Sequence, residues 1–303
     1  RGIPRGSSTQ RALGLRAMAY RLLLDTSSLT YRAFFAVPTS ITGPDGRPVN
    51  AVRGYLDMTT NLVTELGPDE VVHVFDDDWR PAPRVRAYAG YKSQRAPDPD
   101  DLPEQFDLLR EVLDALGQLV VIAPGWEADD AIGVLCAELG EGERADIVTG
   151  DRDLIQLVRD GAVRVLFTVK GVRQLTRYDE AGVEAKYGIP PHRYADFATL
   201  RGDPSDGLPG VKGVGEKTAA TLVKAYGSLD ELVARAGDQS PRLAKALAEA
   251  AEYLMAMREV VPVRTDVPLV STVSTRDDAR LEKLQAEHNL EGPIRRLREV
   301  LGA

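Results

Sequence analysis

Cysteine is almost missing: Cys136 stands alone among 303 residues. A single thiol excludes an intramolecular disulfide framework and suits a reducing compartment, so a cytoplasmic location is expected. Histidine is as scarce. His73, His192 and His288 lie far apart in the chain, which argues against a histidine-built zinc site. No apolar run approaches the roughly 20 residues of a membrane span, so no membrane partner is expected. Positive charge is also short. Lys and Arg number 38 against 46 Asp and Glu, a net charge of −8, which is the wrong sign for a nucleic-acid binder unless the basic residues are concentrated somewhere. What remains, 43% hydrophobic and 28% charged, is an ordinary globular composition, long enough for one large or two modest domains. Residues 1–18 carry basic residues, no acids and no apolar segment of signal-peptide type, and begin without Met. They are expected to be poorly ordered or partly of cloning origin.

Short β-branched and leucine-rich runs alternate with stretches of helical spacing. Strands are expected at 20–25, 71–76, 119–122, 146–149 and 163–169, with Gly171 turning the last into a hairpin through 172–175. Helices are expected at 49–66, at 102–116 ending on Gly117, from Trp126 to about 139, and from 154. This order predicts an α/β fold with a mostly parallel central sheet flanked by helices. From about 181 to 260 the sequence reads as helical, and a last helix begins near 277.

Acids recur where the strands end. Asp25 and Asp76 close the first two strands, Asp151 and Asp153 follow Ile147-Val148-Thr149-Gly150, and Glu127, Asp129 and Asp130 open a helix after another strand. One D-x-D is adequately explained as a turn and a helix cap. In a parallel sheet, however, these ends share one edge, where ligands gather. Seven carboxylates therefore collect on one rim. Two of them about 4 Å apart repel by about 4 kcal/mol at an effective dielectric near 20, so a cation is expected there. Carboxylates without His or Cys suit Mg²⁺ or Mn²⁺. Two such ions about 3.5–4 Å apart can clamp an in-line displacement at phosphorus.

Two further stretches stand out. From 79 to 97 there are five basic residues (Arg80, Arg84, Arg86, Lys92, Arg95), no acids, and Trp79, Tyr88 and Tyr91 between them. The cluster suits phosphate contact and base stacking; Trp79 taken alone reads as packing on the core. Beyond it, Asp203 and Asp206 precede Leu208-Pro209-Gly210-Val211-Lys212-Gly213-Val214-Gly215-Glu216-Lys217-Thr218. Glu216 before Lys217, with no strand leading in, excludes a phosphate-binding P-loop. A helix-hairpin-helix fits better: Gly213 and Gly215 allow a tight turn, and amides at the next helix start, aided by Lys212 and Lys217, hold a phosphate without reading base sequence.

Leu23-Leu24-Asp25, Val74-Phe75-Asp76, Tyr91-Lys92-x-x-Arg95, Glu127-Ala128-Asp129-Asp130, Thr149-Gly150-Asp151-Arg152-Asp153, Gly202-Asp203-x-Ser205-Asp206 and Leu208-Pro209-Gly210-Val211-x-Gly213-x-Gly215 occur in that order. In this the chain resembles the structure-specific 5′-nucleases, among them the 5′-to-3′ exonuclease domain of bacterial DNA polymerase I and the stand-alone bacterial flap endonucleases. The resemblance implies a nuclease core over 19–180 with a basic helical arch at about 79–105, a helix-hairpin-helix DNA-binding region over 181–275, and a C-terminal helical segment over 276–303 on the core. It implies two or more Mg²⁺ or Mn²⁺ ions on nine acids: Asp25, Asp76, Glu127, Asp129, Asp130, Asp151, Asp153, Asp203 and Asp206. The last two would fold over the sheet edge to complete the position of Asp151 and Asp153. Lys92 and Arg95 match a catalytic basic pair on the arch. Arg32, Arg84, Tyr91, Gly210, Lys212, Gly213, Gly215 and Lys217 match DNA-binding positions, with a monovalent cation such as K⁺ at the hairpin. Arg152 is expected to point away from the metals. The implied activity is a 5′-flap endonuclease and 5′-to-3′ exonuclease on flapped, nicked or 5′-ended duplex DNA in replication and repair. The enzyme is expected to be monomeric, with a DNA polymerase and a ligase as functional partners. A ribonuclease acting on RNA-containing 5′ strands and a non-cleaving junction-binding protein are the alternatives.

Overall fold

β1 (Tyr20–Asp25) lies in the middle of a seven-stranded sheet, and each of its two neighbours runs parallel to it. The computed structural model describes residues 19–169, 172 and 174–302; the expectation for residues 1–18 and the expected turn at Gly171 lie outside them. Among the described residues, β1 is followed by β2 (Glu70–Val74), β3 (Leu119–Ile122), β4 (Arg144–Thr149), β5 (Val163–Thr168), β6 (Leu175–Tyr178) and β7 (Val270–Thr272). The order across the sheet is β6-β5-β4-β1-β2-β3-β7, with β1 to β5 parallel and β6 and β7 antiparallel at the edges. The α/β expectation holds. β7 was not foreseen and falls within residues expected to be helical. Its three residues are all exposed, too short and too solvated to show a period-2 pattern.

The helices are α1 (Thr26–Ala36), α2 (Asn50–Leu66), α3 (Ala82–Ala87), α4 (Leu102–Ala115), α5 (Ala128–Ala137), α6 (Glu180–Tyr187), α7 (Tyr194–Arg201), α8 (Glu216–Ala225), α9 (Leu229–Ala234), α10 (Pro241–Glu249), α11 (Ala251–Val260), α12 (Asp278–His288) and α13 (Glu291–Leu301). The segment after β4, expected as an α-helix, is a 3-10 turn over Asp153–Leu157. Strand alternation splits the core into two layers. Leu22 and Leu24 pack with α2, α4 and α13 on one face, and Leu23, Val72 and Ile147 pack on the other with α5 and with residues from α6 to α11. The helical region after β6 thus shares one apolar cluster with the sheet. The expected helical arch contains α3 and the start of α4; residues 88–101 between them form turns and irregular backbone. Gly90, Pro97 and Pro99 interrupt any helix there, and residues 93–98 are exposed, leaving no apolar stripe to stabilise one.

Candidate active site at the sheet switch point

The chain leaves β1 toward β2 on one side and leaves β4 toward β5 on the other. The crevice between their carboxyl ends is therefore the topological switch point of the sheet, the usual ligand position in such folds. Asp25 ends β1 and caps α1, its Oδ1 accepting from the Ser28 amide at 3.2 Å. The Thr149 hydroxyl, at the end of β4, donates to Asp25 Oδ2 at 2.6 Å and accepts from the Asp151 amide at 2.8 Å. Ser28 Oγ accepts from the Gly150 amide at 3.2 Å, and Ser27 Oγ accepts from the Asp76 amide at 2.9 Å. Three strand ends are thus joined by the hydroxyls of Ser27, Ser28 and Thr149. A side chain at Gly150 would overlap the Arg32 guanidinium, which donates to the Gly150 carbonyl at 3.0 Å.

These ends form the floor of a cavity of about 1000 Å³. Asp25, Asp76, Glu127, Asp129 and Asp151 line it, with Arg32, Lys92 and Arg95 among its walls. Burial and the neighbouring Asp76 push the Asp25 carboxyl up to about 7, against the bonds from Thr149 and Ser28. Burial and Glu127 raise Asp76, and burial with Asp151 and Asp25 raises Asp129 well above the ordinary carboxylate range. Asp153 is raised by burial and by Asp151, Asp206 and Asp203. The two late acids, on the loop after α7, thus lie close enough to act on Asp153, although of that loop it is Ser205 that lines the cavity. Asp206 is buried and accepts from Arg95 Nη2 at 2.8 Å, while the Lys92 amide donates to the Asp206 carbonyl at 2.9 Å. Asp203 caps the short turn Pro204–Asp206 and accepts from the Ser205 amide at 2.9 Å.

Glu127 differs from its neighbours. The Lys92 ammonium, the Arg84 guanidinium and the Tyr91 hydroxyl (2.7 Å) all bind it. Burial works against its charge, but Lys92 and Arg84 outweigh that and hold its carboxyl below the ordinary value. Lys92 is itself buried, with a left-handed backbone at φ 50°, a costly conformation for a lysine. Asp130 is turned away from the cavity. Both its oxygens face Arg84 at 2.8 Å, and Oδ1 also accepts from the Arg264 amide at 2.9 Å. That saturation leaves it bracing Arg84 and not the rim. Arg84 and Tyr91, expected to touch DNA, are 3% exposed each. Arg84 also donates to the Val260 carbonyl at 3.0 Å, so it ties α3 to α5 and α11. An arginine with this many protein acceptors has no fork left for a phosphate. Trp79 departs the other way: it is 48% exposed and lines the cavity with the exposed Tyr31 and Phe35.

The hairpin lies between α7 and α8, and none of Gly210, Lys212, Gly213, Gly215 or Lys217 lines the rim cavity. Its glycine logic differs from the expectation. Gly210 (φ 67°) and Gly213 (φ 81°) take the left-handed backbone, whereas Gly215 caps α8 at φ −95°, a value open to any residue. Lys212, Gly213, Gly215 and Lys217 are all exposed.

Do these residues fit divalent ions? Among the described residues, no three His, Cys, Asp or Glu side chains converge as one ion's ligand set. Mg²⁺ does not require that, since it keeps several waters and takes one or two carboxylates. Asp129 and Asp153 supply the positive observation: neither carboxylate has a hydrogen bond or ion pair among the described residues, and each is raised by burial and by neighbouring acids. Clustered carboxylates without cations of their own fit hard divalent ions.

Two family models match the chain, "5′-3′ exonuclease, N-terminal resolvase-like domain" over residues 20–188 and "5′-3′ exonuclease, C-terminal SAM fold" over residues 189–287. A 5′-3′ exonuclease of Streptomyces coelicolor is 48% identical, covering 93% of this chain and 100% of that protein. DNA polymerase I of Mycobacterium bovis is 42% identical over 90% of this chain and 30% of its own length. Among solved structures, the T5 D15 protein co-crystallised with metal ions aligns with a TM-score of 0.64 at 15% identity, covering 93% of this chain and 98% of that one. Human GEN1 in complex with Holliday junction DNA aligns with a TM-score of 0.60 at 19% identity, covering 93% and 70%.

Proposed function

The chain belongs to the 5′-3′ exonuclease family and is a nuclease, and from that premise we propose that it is a divalent-metal-dependent 5′-flap endonuclease and 5′-to-3′ exonuclease acting on branched or nicked duplex DNA in replication and repair. The observation that carries this reading is the switch-point crevice, where the raised, unpartnered Asp129 shares a cavity with Lys92, Arg95 and Arg32, and the equally raised Asp153 lies beside Asp151. Asp25, Asp76, Glu127, Asp129, Asp151, Asp153, Asp203 and Asp206 would hold Mg²⁺ or Mn²⁺, with Asp130 supporting them through Arg84. When bound, such ions activate the attacking water and offset charge on the leaving oxygen.

The protein's own residues do the rest. Lys92, buried against Glu127, and Arg95, 2.8 Å from Asp206, both line the cavity, where each would offset charge on the equatorial phosphoryl oxygens. Trp79, Tyr31 and Phe35 offer flat apolar surface to unpaired bases. The hairpin glycines and Lys212 and Lys217 hold the backbone of a duplex arm, with a monovalent cation such as K⁺ beside them. A monomer suffices for this arrangement, and a polymerase and a ligase would act before and after it. The test is a labelled 5′-flap duplex incubated with Mn²⁺. The wild-type protein is expected to cut near the junction, and Asp151→Ala to lose cleavage at least 1000-fold, on the order of what one indispensable active-site group is worth, while still binding the duplex. Wild-type rates in that variant would end the proposal.

A further inference from the structure

Arg152 stands between two rim acids and has no part in the site described above. Its guanidinium is exposed and lies over the Phe167 ring, 5.7 Å from the centroid, with Arg32 over the same ring at 6.0 Å. Phe167 pairs with Thr149 in the β4–β5 register, so both cations flank the end of the strand that carries Asp151. On its other side Arg152 is within electrostatic reach of the Tyr187 hydroxyl, at the end of α6. Tyr187 in turn lines a second cavity, of about 570 Å³, with Lys186, Gly188 and Lys217. The Lys224 ammonium approaches the same place, 3.5 Å from where a Cβ on Gly188 would stand.

Arg32 and Arg152 at Phe167, and Lys186, Lys217 and Lys224 around the second cavity, therefore form a row that passes Tyr187 from the acidic cavity to one face of α8. Among the described residues none of the five forms an ion pair. Of the basic residues close to them in the chain, Arg164, Arg177, Arg193 and Arg201 pair with Asp146, Glu65, Asp196 and Asp203, whereas Arg159 donates only to the Cys136 carbonyl. In a protein of net charge −8 these cations stay unpaired, although Glu216 lines the second cavity beside Lys186 and Lys217. Such an arrangement is favourable when a polyanion lies along it, because each phosphate neutralised releases condensed counterions. An arginine lying over an aromatic ring presents its planar edge to a phosphate already oriented.

We propose that Arg152 and Lys186 bind backbone phosphates of one duplex arm, joining the acidic rim and the hairpin into a single electrostatic track. This rests on the flap-nuclease reading of the site. The experiment measures binding of a labelled 5′-flap duplex in EDTA across 50–200 mM KCl by Arg152→Ala, Lys186→Ala and the double variant, together with cleavage in Mn²⁺. Each single variant is expected to weaken binding about 3- to 10-fold and to lower the slope of log affinity against log salt by about 1, and the double variant by about 2. Cleavage at saturating DNA should stay within about twofold of wild type. Lys283→Ala, on α12 away from the row, removes equal charge and should leave the slope unchanged. An unchanged slope in Arg152→Ala, an equal loss in Lys283→Ala, a fall in turnover at unchanged affinity, or a wild-type protein that does not bind the duplex overturns the track. A wild-type protein that binds with the expected slopes but never cuts would instead sink the nuclease reading and leave the track standing.

Discussion

Thr149 shows how much of this site rests on one oxygen. Its hydroxyl donates to Asp25 and accepts from the Asp151 amide, and it is fully buried. Thr149→Val keeps the shape and removes both bonds. Asp25 then loses one of the two hydrogen bonds that oppose burial and Asp76, keeping the one from Ser28, and the turn carrying Asp151 loses its anchor. Hydrogen bonds behind metal-holding groups are typically worth 10- to 100-fold in metal affinity. The Mn²⁺ concentration for half-maximal cleavage is accordingly expected to rise about 10- to 100-fold, with folding retained by circular dichroism. An unchanged metal requirement would show that Thr149 serves only the strand. Its role was not legible in sequence because a threonine that ends a strand looks the same whether or not its hydroxyl is used. Arg84 and Trp79 fail in a matching way. The clustering of basic and aromatic residues was plain, but which of them face water depends on α5 and α11, far along the chain.

At the level of elements, the hairpin between α7 and α8 turns on two close approaches. A Cβ on Gly210 would come within 2.5 Å of the Arg201 carbonyl and 2.6 Å of the Gly202 amide, at a φ of 67°. On Gly215 it would meet nothing within 4 Å, at a φ of −95°. Gly210→Ala is therefore expected to destabilise the fold by about 1–3 kcal/mol or more, and Gly215→Ala to change it by less than about 0.5 kcal/mol. Urea unfolding of the two variants checks this, and equal midpoints would contradict it. The glycine spacing announced a tight turn. Which glycine carries the left-handed backbone depended on the contact between the two ends of the loop. The strands were legible for the opposite reason: buried β-branched and leucine runs are a local signal, and their acids sit at fixed offsets from the strand ends.

At the scale of the whole molecule, the rim is a store of unfavourable charge. The Asp25 carboxyl is pushed up to about 7 and that of Asp206 to about 6, burial being the leading cause in both; Asp76, Asp129 and Asp153 are raised as well. A carboxyl that holds its proton more tightly folded than unfolded stabilises the fold fully below its unfolded value near 4, and that contribution is lost as pH rises through the folded value. Glu127, held below its ordinary value, has the opposite sign: its contribution is present above its unfolded value and is lost only as pH falls through the still lower folded value. The melting temperature of the metal-free protein is thus expected to fall between about pH 4 and pH 7. Mg²⁺ should raise it by an increment that grows across the same window, because protons and cations compete for these oxygens. Scanning calorimetry with and without Mg²⁺ measures both slopes; an increment that does not vary with pH would place the ion elsewhere.

The sequence by itself determined the α/β class, the order of the parallel strands' segments, and the presence of acids at strand ends, because alternation, turn residues and offsets from a strand end are local properties. Tertiary structure alone decided the rest. It set the strand order that puts β4 beside β1, took Asp130 and Arg84 out of the cavity by pairing them, put Trp79 into its wall, added β7 at the edge, and laid Arg152 over Phe167. Each of these depends on which distant segment supplies the neighbour, and in a buried site the neighbour decides whether a charge is solvated, paired or left for a ligand.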